Sequence, residues 1–372
     1  MQILLAGDFC PRWRTVDIIE NEDYSYLFEN ISEVVKQADY SIVNLECPVA
    51  HDEAKPIDKQ GPNLKCSPKA IEALKWVGFN CFALANNHIL DYGTDGLNTT
   101  IKTINDNALD YVGGGSSVIE ASRSLFKTIE NRRVAVINCC EHEFSIATET
   151  RAGANPLNPI CQFNAIQEAK KHADRIIVII HGGHEHFQLP SPRMVDTYRF
   201  FIDAGADAVV NHHQHCYSGY EYYKGKPIVY GLGNFLFDIS PMRTNSIWNY
   251  GYMASIDFST EDPQLTIHPY RQCAEEPKIE LLPSDAFNEK LKELNDIISN
   301  PEELNQVIGA YYDSCMESYG NIFEPFYNRI YIGAKHRGWL PSFISKKRKL
   351  MASNFINCES HRDKLLWWLN KN

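Results

Sequence analysis

The sequence predicts an α/β layered protein built on a largely parallel sheet. Two observations predict it. From residue 2 to about 235, short apolar runs alternate with patterns of helical period, which is how strand–helix–strand units read. The polar residues richest in chemistry stand just past those runs, at the strand ends where open α/β sheets bind their ligands.

The elements follow in order. Strands are expected at residues 3–6, 41–44, 81–85, 133–139, 176–180, 208–210 and 227–230, each a short, mostly aliphatic run. Helices are expected between them at 26–38, 68–77, 96–106, 164–172 and 193–204. Runs at 253–258 and 264–270 have no helix between them, so the sheet gains antiparallel members. The pattern then turns helical at 285–298, 301–319 and 362–369. A boundary near 280 divides the chain into an α/β domain, 1–280, and a mostly helical C-terminal extension, 281–372, basic towards its end.

Composition narrows the class. The chain has 372 residues, 44% of them hydrophobic, so it is globular and large enough for several layers. No segment is long and apolar enough to span a membrane, and the opening run lacks a basic leader. Eleven cysteines without a CxxC pair read as reduced thiols, so a cytoplasmic protein is expected. Residues 325–372 hold ten Lys/Arg against two acids, +8, so with a net charge of −11 the rest carries −19. No nucleic-acid partner is expected. The run Trp339-Leu340-Pro341-Ser342-Phe343-Ile344 precedes Lys346-Lys347-Arg348-Lys349, so residues 339–349 could make a peripheral membrane contact, with Trp367-Trp368 as a second. Inward packing of these aromatics is the competing expectation.

Asn211-His212-His213-Gln214-His215 is the densest chemistry in the chain. Neutral imidazoles at a strand end suit zinc, iron, nickel or copper. His213 and His215 share one metal or reach two, depending on the loop. Gly7-Asp8 ends the first strand, and its carboxylate can ligate a metal or cap a turn. Glu46, after Asn44-Leu45, could bridge two cations or be a solvated turn residue. In Asn86-Asn87-His88, Asn87 offers an amide oxygen, while His88 can act as general acid or clamp an oxyanion. Asp91 is placed to orient a His88 nitrogen. His181 is the first residue past the most apolar strand. In Gly231-Leu232-Gly233-Asn234, Asn234 could donate to a substrate. Asp238 reads as structural.

Together these segments resemble the poly-γ-glutamate capsule biosynthesis (CapA-like) family, a branch of the calcineurin-like metallophosphoesterases. The resemblance covers residues 2 to about 240 and six ordered motifs: Gly7-Asp8, Asn44-Leu45-Glu46, the ANNHxxDYG stretch at 85–93, HxGxE at 181–185, AGADAVVxHHxH at 204–215 and GKPIVYxLGNFxFD at 225–238. It implies a metallophosphatase-like four-layer α/β/β/α sandwich holding one or two divalent ions, Mn, Zn, Fe or Mg. Asp8 then matches a ligand of the first metal and Glu46 the bridging position. Asn87 and His181 match ligands of the second, and His213 and His215 divide between the two. His88 matches the catalytic histidine. Cys10 stands where the wider superfamily has a first-motif histidine.

The expected function is a metal-dependent hydrolase, a phosphoesterase, tied by family to capsule or exopolysaccharide biosynthesis. An anionic small molecule or polymer is the expected substrate, with Arg12, Lys65, Glu185 and Asn234 as candidate binding residues. The alternative is a non-catalytic component that binds an anionic polymer or a partner in capsule or polysaccharide assembly. An amide-bond enzyme of polyglutamate metabolism is a third reading. No nucleotide-binding loop is visible, which argues against an ATP-dependent ligase acting alone.

Overall fold

Two sheets carry the fold. The structure, a computed structural model, describes residues 1–59, 61–239, 246–322, 328–345 and 349. In the first sheet the strands Gln2–Phe9, Tyr40–Leu45, Cys81–Ala83 and Asp110–Val112 run parallel and side by side. Tyr250–Asp257, Gln264–Gln272 and Ile279–Leu281 extend it antiparallel from the other flank of Gln2–Phe9. Asn234–Leu236 pairs with the end of Gln2–Phe9. The second sheet has a parallel centre of Arg132–Cys140, Arg175–His181, Ala208–His212 and Lys226–Val229. Leu125–Ile129 and Tyr220–Tyr223 close its edges antiparallel.

Burial shows how the layers stack. From Ile3 to Phe9 no side chain is more than 1% exposed, so both faces of that strand are covered. Leu4 and Ala6 join a core with Ile19, Phe28, Val35, Leu74 and Leu97, all from the helices Arg14–Glu20, Tyr24–Phe28, Ile31–Gln37, Lys69–Val77 and Gly93–Asp106. Ile3 and Leu5 alternate to the other face. There Gln2–Phe9 meets Ala208–His212, and Asp110–Val112 meets Arg132–Cys140. Helices Pro159–Ala169 and Pro192–Ala204 cover the far side of the second sheet. The order is helix, sheet, sheet, helix, the four-layer sandwich expected. Each fully buried Leu or Ile contributes about 1.5–3 kcal/mol, which makes these doubly covered strands the rigid frame.

Local signals place the ends. Ser191 caps the helix Pro192–Ala204 by accepting from Met194 N–H at 3.3 Å, and Pro192 suits its first turn. Some elements differ from expectation. The single helix expected at 26–38 is two, broken at Glu29, whose φ is 25°. Leu125–Ile129 and Tyr220–Tyr223 were not foreseen as strands. The expected helix at 362–369 lies outside the described residues, as do Lys346 to Arg348 and Trp367-Trp368.

The chain divides into two compact units, 1–304 and 305–372. Helix Asn288–Ser299 packs on Tyr220–Tyr223 within the first. The second contains most of Pro301–Ile322 and the helix Arg329–His336, in which Tyr331 stacks on Phe343. Among the described residues no helix is long and apolar enough to cross a membrane.

Candidate metal centre

The parallel strands end on one edge, and most deliver a polar side chain there. Asp8 is the penultimate residue of Gln2–Phe9, and Glu46 directly follows Tyr40–Leu45. Asn87 and His88 lie in the turn after Cys81–Ala83. From the second sheet, His181 ends its strand and His212 ends the next. The chain then turns sharply, with φ of 88° at His213 and 55° at His215, non-glycine values that strain the loop. Gly7 makes the junction possible: a Cβ there would stand 1.9 Å from the Gly233 carbonyl oxygen, which accepts from Asp8 N–H at 3.1 Å.

Two ligand groups result, and Glu46 belongs to both. Glu46, His181 and His213 form one, and Asp8, Glu46 and His215 the other, with the ligand atoms of each group within 4.8 Å of one another. Glu46 Oε1 is 3.5 Å from His181 Nε2 and 3.7 Å from His215 Nε2. His181 Nε2 lies 3.0 Å from both His213 Nδ1 and Asn87 Oδ1. All of these residues are buried.

Glu46 tests whether this donor set fits a cation. Both its carboxylate oxygens are buried and have no hydrogen-bond partner. Burial, and after it the Asp8 charge, pushes its carboxyl well above the usual range. An unpartnered buried carboxylate is costly, and one shared cation pair would satisfy it. Oxygen donors from Asp8, Glu46 and Asn87 and nitrogens from three histidines suit a hard or borderline divalent ion such as Mn, Fe or Zn. The residues fit the group.

The electrostatics prepare the ligands. Burial holds His181 well below the ordinary imidazole value, helped by His213, and pushes His215 down to about 4. Both are therefore neutral and able to ligate near pH 7. For Asp8, burial acts upward, but the His212 hydrogen bond and the neighbouring imidazoles outweigh it and hold the carboxyl low. Asn44 Nδ2 also donates to Asp8 Oδ1 at 2.7 Å. Asn234 donates through Nδ2 to the carbonyls of His215 and Trp248, so its Oδ1, 2.8 Å from His215 Nδ1, must accept. That fixes the proton on Nδ1 and turns the Nε2 lone pair towards Glu46.

His88 Nδ1 donates to Asp91 Oδ2 at 2.6 Å, the orienting contact expected. Leu64 N–H also donates to Asp91 Oδ2, and Lys59 pairs with Asp91 Oδ1. Lys59 Nζ sits 3.1 Å from His88 Nδ1, and its side chain is almost fully buried. Sequence reasoning missed Lys59, which lies in a polar loop without a motif. It also missed His212, bonded to Asp8, and Glu143, whose Oε2 accepts from Asn87 at 3.1 Å. The strand-end rule would have found Glu143, three residues past Arg132–Cys140.

The remaining expected residues stand outside the two ligand groups. Asn234 is fully buried and spends its amide on His215 and Trp248, so it is a positioning group and not the substrate donor expected. Lys65 pairs with the exposed Asp52 at 2.8 Å, a surface contact. Glu185 is half-exposed, within 4.0 Å of His186. Cys10 packs in the apolar core beside Phe9 and is in neither ligand group. Asp238 is structural as expected, clamped by Arg14 at 2.8 and 2.9 Å.

A strand-end centre of shared carboxylate and imidazole donors in a four-layer sandwich defines an α/β protein whose donor set suits divalent cations. Residues 2–239 match the family model described as bacterial capsule synthesis protein PGA_cap, and the chain belongs to that family. It is 33% identical over 252 residues to the capsule biosynthesis protein CapA of Bacillus anthracis, covering 66% of this chain and 61% of that protein. Against the PGA biosynthesis protein CapA of Bacillus subtilis it is 32% identical, covering 64% of each. The chain thus spans less than two thirds of these relatives. Among solved structures it is similar to a novel phosphatase from Mycoplasma pneumoniae, with 17% identity and a TM-score of 0.45 over 76% of this chain and 92% of that one. It is also similar to a 5'-nucleotidase precursor from Thermus thermophilus, with 10% identity and a TM-score of 0.45 over 79% and 57%.

Proposed function

We propose that the chain is a metal-dependent hydrolase, a phosphoesterase serving capsule or exopolysaccharide biosynthesis of the poly-γ-glutamate type. Glu46 carries the reading: a fully buried carboxylate with no hydrogen-bond partner among the described residues, common to two ligand groups. Asp8, Glu46 and His215 would hold one cation, and Glu46, Asn87, His181 and His213 the other. Bound there, two divalent ions supply Lewis acidity and an acidified water. His88 keeps its Nδ1 proton on Asp91, which leaves Nε2 to exchange a proton with the leaving oxygen. Lys59 neutralises Asp91 and so holds that geometry. The capsule link rests on the family and on the names of the Bacillus relatives.

The test is metal analysis of the purified chain, joined to a screen of phosphomonoesters and phosphodiesters with Mn²⁺, Zn²⁺ or Mg²⁺. Bound metal with metal-dependent turnover supports the reading, and no metal at any pH above 6 sinks it. A non-catalytic binding role is the second reading. It is favoured by the thinner first group, which has Cys10 turned into the core where a histidine ligand could stand. Stoichiometric metal without turnover of any ester would select it.

A further inference from the structure

We propose that Arg12 forms an anion subsite on the rim of the metal centre, and that the substrate is a phosphoester carrying a second anionic group away from the reacting one. The proposal rests on the phosphoesterase reading for where the reacting group sits. Arg12 lies four residues past Asp8, in the loop before the helix Arg14–Glu20. Its guanidinium carbon is 5.9 Å from the centre of the Phe237 ring and 6.0 Å from that of Trp13. Phe237 is buried and meets the His215 ring edge-on at 5.2 Å. A single aromatic ring therefore separates this cation from a metal ligand.

The loop is built to hold it. Arg12 N–H donates to Thr15 Oγ1 at 3.0 Å, and the same hydroxyl donates back to the Arg12 carbonyl at 2.8 Å. Thr15 is fully buried, so the Arg12 backbone is pinned from both sides. Trp13 has a φ of 50° and is 59% exposed. A bulky residue rarely adopts that conformation, and here the exposed indole stays beside the Arg12 guanidinium.

What distinguishes Arg12 is that its charge is unspent. Arg14, two residues on, gives its guanidinium to Asp238 and to the carbonyls of Cys273, Ala274 and Glu275. Lys59 is paired with Asp91, and Arg193 with Glu141. Among the described residues the Arg12 guanidinium makes no ion pair or hydrogen bond, only its two ring contacts. Two rings flank its guanidinium, and its N–H groups are unclaimed, so it is available for the bidentate recognition of carboxylates and phosphates that suits arginine. Around the two ligand groups the protein presents the acids Asp8, Glu46, Glu143 and Glu185. They would repel a second negative group, and Lys59, the cation beside His88, is already paired with Asp91, so Arg12 is the side that favours one.

The experiment is calorimetric titration of the full, Mn²⁺-loaded chain, with bound manganese measured on each sample. The probes are alkylphosphonates and ω-carboxyalkylphosphonates of two to six methylenes, with α,ω-bisphosphonates of the same lengths to separate carboxylate from phosphate recognition. The wild type should bind the carboxylate or the bisphosphonate series about ten-fold or more tightly than the plain series once the chain is long enough to reach Arg12. In Arg12→Gln that ratio should fall to near one, and Arg12→Lys should recover part of it. A plain phosphonate that binds without any gain from the second anion, or a gain that survives Arg12→Gln, overturns the subsite alone. Failure of every phosphonate to bind overturns the phosphoesterase reading, and the subsite falls with it.

Discussion

Replacing Glu46 by Gln should make the metal-free protein more stable and the metal-loaded protein less so. The carboxyl of Glu46 lies well above its unfolded value of 4.5 because it is buried beside Asp8. The folded chain therefore keeps a proton that the unfolded chain has lost, and stability falls as pH rises from 4.5 towards the folded value. While the pH lies inside that window, each unit costs up to about 1.4 kcal/mol, the limit for one proton. Glutamine has no such slope. At about 2 °C per kcal/mol for a chain of this size, the melting-temperature advantage of Glu46→Gln over wild type should grow with pH inside that window, by up to about 3 °C per unit. The assay is thermal melting in chelator at pH 5, 6 and 7, repeated with excess Mn²⁺. The cation should reverse the order, because the wild type regains the charge partner its carboxylate lacks. A pH-independent difference, or an equal Mn²⁺ response in both proteins, would refute the shared-ligand role.

Other outcomes follow from the same geometry. His88→Ala should keep its metal and lose roughly 10²–10⁴-fold in turnover, measured by plasma emission and steady-state kinetics; loss of metal would make His88 a ligand. His215 titrates near 4 when folded, below its unfolded 6.5, so the metal-free protein should lose stability as pH falls through that window, and His215→Asn should flatten the slope in chelator melts. Asn234→Ala frees the His215 Nδ1 proton from its acceptor and should weaken metal binding about 10–100-fold in competition with a fluorescent chelator, while Asn234→Asp should bind better than Ala. The full chain should sediment with anionic but not neutral vesicles, and less at high salt, if residues 339–349 meet a membrane; indifference to lipid charge removes that contact.

The parallel core was legible because its strands are covered on both faces and so read as unbroken aliphatic runs, as at residues 176–180. The ligands were legible by position: a polar residue directly after such a run has nowhere to point but the sheet's edge. The two missed hairpin strands have a common cause. Leu125–Ile129 turns into Arg132–Cys140 through Glu130-Asn131, with φ of 49° and 65°, and Tyr220–Tyr223 turns into Lys226–Val229 through Lys224-Gly225, with φ of 50° and 76°. Both are two-residue turns with positive φ at each position, but neither carries the usual Asn-Gly or Asp-Gly signal. The break at Glu29 has no glycine or proline to mark it, so the helical period ran through. Lys59 was invisible because its partner, Asp91, is 32 residues away and only the folded loop brings them together.

The centre draws Asp8, Glu46 and Asn87 from one sheet and His181, His213 and His215 from the other. A cation there would be a clasp between the two halves of the sandwich. Neither half offers a complete donor set once the layers part, so opening of either releases the ion, and an ion present at 100 times its dissociation constant adds about 2.7 kcal/mol against that opening. Slow amide exchange in Arg175–His181 and in Tyr40–Leu45, strands of different sheets with no backbone hydrogen bond between them, should then rise and fall together with metal concentration. Metal availability would set how firmly the sandwich holds together.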